Sequence, residues 1–258
     1  QTVTLGQGQH HYVSNVSAGA RVRSTDTRTI QVELFTGRPG SNYQSRDTTL
    51  LPINRWSSNY YAPVSTRSAA SATQYNTVVF LYNPGATAIT VSYDYKNASN
   101  NALVTATVSV PAGGNARVLL APASTTNYGA YRFYTTNNAT FYAISTIDAN
   151  DTDMENNDAF DGGFTLIGQP SLSTQILVSL GIGRDPYSTT NLTENGNPIW
   201  ITTAGNGNTP ETVYVDYNDD NSGPNADANG NRYDVSYNLV ELQQQKLFDP
   251  DGDQTGMF

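Results

Sequence analysis

The chain has 258 residues, of which 37% are hydrophobic and only 14% charged, with 22 acidic against 13 basic side chains and a formal net charge of −9. So few charges exclude a solvated, charge-rich disordered chain, and no apolar run reaches the ~18 residues that a membrane-spanning helix needs. Cysteine is absent, which removes disulfides, thiolate zinc sites and cysteine nucleophiles together.

The polar bulk is Asn, Thr, Ser, Gly and Tyr; Lys96 and Lys246 are the only lysines. Tyr and Thr favour strands, Asn and Gly favour tight turns, and good helix formers are scarce. In chain order, strands are predicted over residues 3–13, 20–24, 29–36, 49–52, 60–64, 77–82, 88–95, 103–110, 116–120, 131–135 and 140–147. Further strands are predicted over 163–167, 174–181, 199–203, 212–217 and 233–239. Ile30-Gln31-Val32-Glu33-Leu34 alternates apolar and polar side chains, the pattern of a half-buried antiparallel strand. Asn83-Pro84-Gly85, Ala112-Gly113-Gly114 and Asn195-Gly196-Asn197 punctuate these runs as turns. Residues 239–248, with Gln243-Gln244-Gln245, fit a short helix as well as a strand. Short strands at ~8–12-residue spacing predict an all-β fold of antiparallel β-sandwich modules with long Asp/Asn-rich loops.

Two modules are expected, residues 1–150 and 151–258. A strand closing on Asp-Tyr follows Thr by eight residues in both, at Thr87 to Tyr95 and at Thr209 to Tyr217. Charge divides at nearly the same place: residues 1–147 carry a net +6 and residues 148–258 a net −15. Such polarity bears on association and not on fold.

The acids crowd into three segments. Asp148, Asp151, Asp153, Glu155, Asp158 and Asp161 share one stretch that holds no basic residue. Two carboxylates 6 Å apart repel by about 0.7–3 kcal/mol across the plausible dielectric range, so such a loop is extended and wet or holds a cation. Asp227-Ala228-Asn229-Gly230-Asn231-Arg232-Tyr233 and Asp249-Pro250-Asp251-Gly252-Asp253-Gln254-Thr255 share the spacing D-x-[DN]-G-[DN]-x-x. Oxygen side chains at positions 1, 3 and 5, a turn-permitting Gly, and carbonyls from Tyr233 or Thr255 suit Ca²⁺, which takes six to eight oxygens in irregular geometry. Gly stands at position 4, unlike an EF-hand, and no acid follows at position 12. A further carboxylate from Asp216, Asp219, Asp220 or Asp234 would complete the first loop. Solvated acidic turns are the plain alternative for all three segments.

Asp249-Pro250-Asp251-Gly252-Asp253-Gln254-Thr255-Gly256 resembles the Asp-rich calcium repeats of thrombospondin type 3. Leu51-Pro52, Trp56, Tyr60-Tyr61, the run Val79-Phe80-Leu81-Tyr82-Asn83-Pro84 and Ile89-Thr90-Val91 resemble the IgGFc-binding-protein N-terminal-like β domain of large bacterial exoproteins. The second resemblance covers roughly residues 20–220 and consists mainly of strand pattern and aromatics. It implies an extracellular, non-catalytic adhesive or surface role and transfers no catalytic residue. The chain opens at Gln1 without a methionine, which fits a processed, secreted protein.

His10 and His11, adjacent on a strand, would face opposite sides and could not share an ion. No G-x-S-x-G elbow is present. The acids cluster in loops without interleaved aromatics, which makes a glycoside hydrolase the least favoured reading. Nine Arg in the first half are scattered singly, so nucleic acid is not an expected partner. Trp56, Tyr60 and Tyr61 are the candidates for a sugar-stacking surface, and a carbohydrate-binding module is the alternative function. The leading expectation is a calcium-stabilised structural or adhesive protein of the cell surface that associates head to tail into a filament or binds other surface proteins.

Overall fold

A computed structural model describes residues 2–14, 16, 19–36, 46–67, 75–96, 102–120, 127–149, 162–176, 199–217 and 223–247. The acidic stretch from Asp151 to Asp161, Asp219, Asp220 and the whole run from Asp249 to Thr255 lie outside the described residues. The protein is all-β and antiparallel. The first strands are β1 Glu33–Thr36, β2 Arg46–Thr49, β3 Asn59–Ala62, β4 Thr66–Arg67, β5 Tyr75–Tyr82, β6 Ile89–Lys96 and β7 Leu103–Val110. Then come β8 Asn115–Leu119, β9 Asn127–Tyr128, β10 Tyr131–Tyr134, β11 Tyr142–Ala149, β12 Gly162–Thr165 and β13 Ile167–Gly168. The last six are β14 Ile199–Thr202, β15 Glu211–Val215, β16 Asn225–Ala226, β17 Arg232–Tyr233, β18 Val235–Leu239 and β19 Gln244–Leu247.

Two sheets face each other. One has the order β13-β3-β10-β6-β7; the other runs β12-β11-β5-β4-β9, with β8 sharing the free side of β5. Alternation along each strand decides what enters the core. Tyr60 and Ala62 of β3, Val91 of β6, Tyr131 and Phe133 of β10 meet Val79 and Leu81 of β5, Val118 of β8 and Ala143 of β11. The buried phenols find partners across the core: Tyr131 donates to Ser145 Oγ at 2.7 Å, and Tyr60 donates to the Phe141 carbonyl and accepts from Ser57 N–H at 2.8 Å. Burial raises the Tyr60 phenol to about 12, so both rings stay neutral at any working pH.

One end of the sandwich is held by Asn83, which is 1% exposed. Its amide group donates to the carbonyls of Thr87 (2.8 Å), Val110 (3.2 Å) and Pro111 (3.0 Å), while its Oδ1 accepts from Gly85 N–H at 2.9 Å. The two predicted turns, 83–85 and 112–114, are thereby tied into one corner, helped by Gly113 N–H to Gly85 O at 3.0 Å.

Both sheets continue past residue 150. β12 pairs with β11 from Ile144↔Thr165 to Ile147↔Gly162, and β13 pairs with β3. Where a second sandwich is expected, residues 199–247 form a nested ribbon: β14 pairs β19, β15 pairs β18, and β16 pairs β17. One leg runs out to Ala226 and the other returns from Arg232, so the Asp227–Asn231 turn is the tip.

Four predicted elements differ. Residues 2–14 are exposed and contain no strand: Gln9 N–H bonds Gly6 O at 3.1 Å, and that turn interrupts the run that strand propensity favours. Residues 20–24 are not a strand either, and 29–36 shortens to β1. Of the stretch 239–248, the described residues 239–247 are not helical; Leu242, at φ +60, turns the chain from β18 into β19 and buries its side chain beside Tyr61 and Ala130.

Candidate functional site

Of the predicted calcium set, the described residues contain the acidic ribbon and, outside it, Asp148. Gly230, at φ +84, permits the tight reversal between β16 and β17. Asp227 fills that turn from within: its Oδ1 accepts the Asn229 and Asn231 N–H groups at 2.8 and 2.9 Å, and its Oδ2 accepts the Asn231 side-chain amide at 3.0 Å. The Asn231 amide contact, followed by the backbone donors, holds the Asp227 carboxyl below its usual range. Asn231 therefore presents its N–H₂ donor to Asp227 in this arrangement. Asp234 is likewise engaged, accepting Tyr217 N–H at 2.8 Å. Tyr233 is half-buried, with its ring 4.6 Å from that of Tyr214. Among the described residues no three carboxylate or imidazole groups are gathered closely enough to hold a metal ion. The turn at Asp227, Asn229 and Asn231 is thus closed by its own hydrogen bonds. Asp216 directly follows β15, and Asp148 is the last but one residue of β11 in the sandwich.

A second cluster, which the sequence reading missed, joins ribbon to sandwich. On the outer face of the five-stranded sheet, Arg132 of β10 stands between Tyr61 of β3 and Asp94 of β6. Its Nε donates to Asp94 Oδ2 at 2.6 Å and its Nη1 to Glu241 Oε1 at 2.9 Å. Glu241 comes from the turn between β18 and β19, and its Oε1 also accepts from Tyr61 Oη (3.0 Å) and Gly205 N–H (3.1 Å). Asp94 is 1% exposed, and its Oδ1 has no partner among the described residues. Burial works against the Arg132 charge, but hydrogen bonds to Tyr61 and Asp94 and the charges of Asp94 and Glu241 outweigh it, so the guanidinium is held more firmly protonated than usual. Its carbon lies 4.6 Å over the Tyr134 ring, a cation–π contact. Gln244 Nε2 adds a bond to Pro63 O at 2.6 Å. The only hint in sequence was an isolated Arg in Tyr131-Arg132-Phe133 and an isolated Asp in Tyr93-Asp94-Tyr95, opposite charges on otherwise aromatic strands.

The predicted sugar platform does not assemble. Tyr60 is 0% and Tyr61 5% exposed, because β3 is an interior strand whose two faces are covered by the core and by the ribbon. Neither ring is open to a glycan. Trp56 is half-buried: it stacks on Tyr142 at 4.9 Å and 24°, meets Tyr82 edge-on at 6.1 Å, and donates its indole N–H to Leu51 O at 3.2 Å.

No known protein family matches the chain, and no curated protein matches it. Among solved structures, the crystal structure of PBSX exported protein XepA is similar over 61% of this chain and 52% of that one, at 16% identity and a TM-score of 0.24. The chain thus spans about half the length of that structure. No helix among the described residues is long and apolar enough to cross a membrane.

Proposed function

We propose that this chain is an extracellular structural or adhesive protein whose copies associate head to tail. The observation that carries the reading is the charge polarity of the chain, +6 over residues 1–147 and −15 over residues 148–258, in a molecule whose acidic ribbon is tied to the basic sandwich by a part-buried ionic cluster. A scaffold of this kind holds unlike charges on one body. Unlike faces of successive copies attract, and a heterologous contact grows open chains unless its rotation closes a ring. Calcium belongs to this reading through the acidic segments 148–161 and 249–255, where it would neutralise crowded carboxylates; at the third segment the Asp227 carboxylate is already engaged by its own turn. Sedimentation velocity tests the electrostatic contact. Association is expected to weaken as ionic strength rises from ~0.01 M to ~1 M, over which the screening length falls from ~30 Å to ~3 Å. Association that is unchanged or stronger at high salt removes the reading.

A further inference from the structure

β7 is an outer strand of the five-stranded sheet; among the described residues it pairs with β6 alone, in unbroken register from Lys96↔Leu103 to Ile89↔Val110. One row of its backbone N–H and C=O groups therefore faces away from the sheet. Sheet edges in soluble proteins are blunted by Lys, Pro, bulges or short length. β7 has none of these: it is eight residues long, and Leu-Val-Thr-Ala-Thr-Val-Ser-Val carries no charge. Its inward side chains Val104, Ala106 and Val108 are only half-buried, while Val110 is buried. The inner apolar row stops one strand short of full cover.

The same chain holds a segment with the complementary lack. Residues 2–14 join no ladder among the described residues and are exposed throughout, with Val3 at 44%, Leu5 at 41%, Tyr12 at 76% and Val13 at 52%. Thr2-Val3-Thr4-Leu5 alternates hydroxyl and aliphatic side chains as Thr105-Ala106-Thr107-Val108 does. Extended beside β7, Thr2 and Thr4 continue the outer row of Thr105, Thr107 and Ser109, and Val3 and Leu5 continue the inner row. The turn from Gly6 to Gln9 ends the match. The chain that follows runs past the other sheet: a Cβ on Gly19 would lie 2.8 Å from the Tyr82 hydroxyl of β5. Within one copy the segment and the edge form no ladder among the described residues.

We infer that residues 2–5 of one copy add as a strand to the β7 edge of a second copy. Main-chain hydrogen bonds supply the attraction, and the alternating side chains set the register. This rests on the association proposed above and names its contact.

The test compares the full chain with a full-length Val3→Asp/Leu5→Asp variant, both exposed positions outside the sandwich core. Sedimentation velocity across a concentration series is expected to show association for the unchanged chain and its loss for the variant, at an unchanged melting temperature. A synthetic peptide of residues 2–14, added to the variant, is expected to slow backbone amide exchange in β7 and nowhere in β8. A variant that associates like the unchanged chain, or a peptide that leaves β7 exchange untouched, overturns the strand-addition contact while the head-to-tail reading stands. An unchanged chain that sediments as single copies at every concentration overturns both.

Discussion

Asp227 closes the ribbon tip through three donors of its own turn, and a carboxylate so engaged makes the turn sensitive to acid. Its folded value lies below the ordinary 3.8, so the stabilisation is complete above that value and fades as pH falls through the lower folded one. Amide exchange at Asn229 and Asn231 is expected to be slow at neutral pH and to quicken on acidification below the ordinary carboxylate range. Asp227→Asn, which keeps an acceptor and loses the titration, is expected to flatten that pH dependence. A few residues away, Gly223 is fixed by space and not by dihedral angle. A Cβ there would lie 2.3 Å from both the carbonyl carbon and oxygen of Tyr233, where backbone cannot give way. Arg232 reinforces the approach with a bond to Gly223 O at 3.1 Å. Gly223→Ala is expected to cost about 1–3 kcal/mol or more, as overpacking does, read as a lowered melting temperature with loss of the Tyr214–Tyr233 ring contact in the ribbon's aromatic spectrum.

Ribbon and sandwich are separate elements that a part-buried ionic cluster ties together. Removing Arg132 leaves Asp94, 1% exposed, without its charged partner among the described residues, and takes from Glu241 one of the bonds that fasten the ribbon. Arg132→Leu is expected to destabilise by about 3 kcal/mol, the low end for a broken buried pair because the Arg132 side chain is still 23% exposed. Arg132→Leu combined with Asp94→Leu is expected to recover part of that loss, and a double-mutant cycle in denaturant measures the coupling. Elements of this protein were readable in sequence where one local signal sufficed. Leu103–Val110 has its predicted bounds because eight alternating residues lie between turn-forming stretches, and Asn83-Pro84-Gly85 is a turn because Pro and Gly demand one. Residues 3–13 have the propensity of a strand but join no ladder among the described residues, and pairing is what stabilises a strand. The nested ribbon was hidden because its two legs are out of step. Nine residues, 216–224, stand opposite the single residue Asp234, so no even alternation survives to be read. The ionic cluster was hidden for a different reason: Asp94, Arg132 and Glu241 are 38 and 109 residues apart, and only the sheet order β3-β10-β6 brings them together.

At the scale of the whole molecule the question is whether charge or calcium governs its state, and the described geometry separates the two. The D-x-[DN]-G-[DN] spacing occurs twice, yet the copy at Asp227 uses its oxygens on its own N–H groups. We propose on this ground that the two copies respond unequally to metal. If calcium stabilises the chain, it acts through the copy at Asp249, Asp251 and Asp253 or through the acids between Asp148 and Asp161. Added calcium is expected to raise the melting temperature and a chelator to lower it. Asp227→Asn is expected to leave that calcium response intact, whereas Asp249→Asn/Asp251→Asn/Asp253→Asn diminishes it. Neutralising three acids also lowers the net charge of the second half from −15 to −12, so the triple variant is expected to associate more weakly at low ionic strength even without calcium. Sedimentation in chelator, compared with melting in calcium, separates the two effects. A triple variant that keeps its calcium shift but loses association would assign the 249–253 acids to the contact between copies and not to the metal.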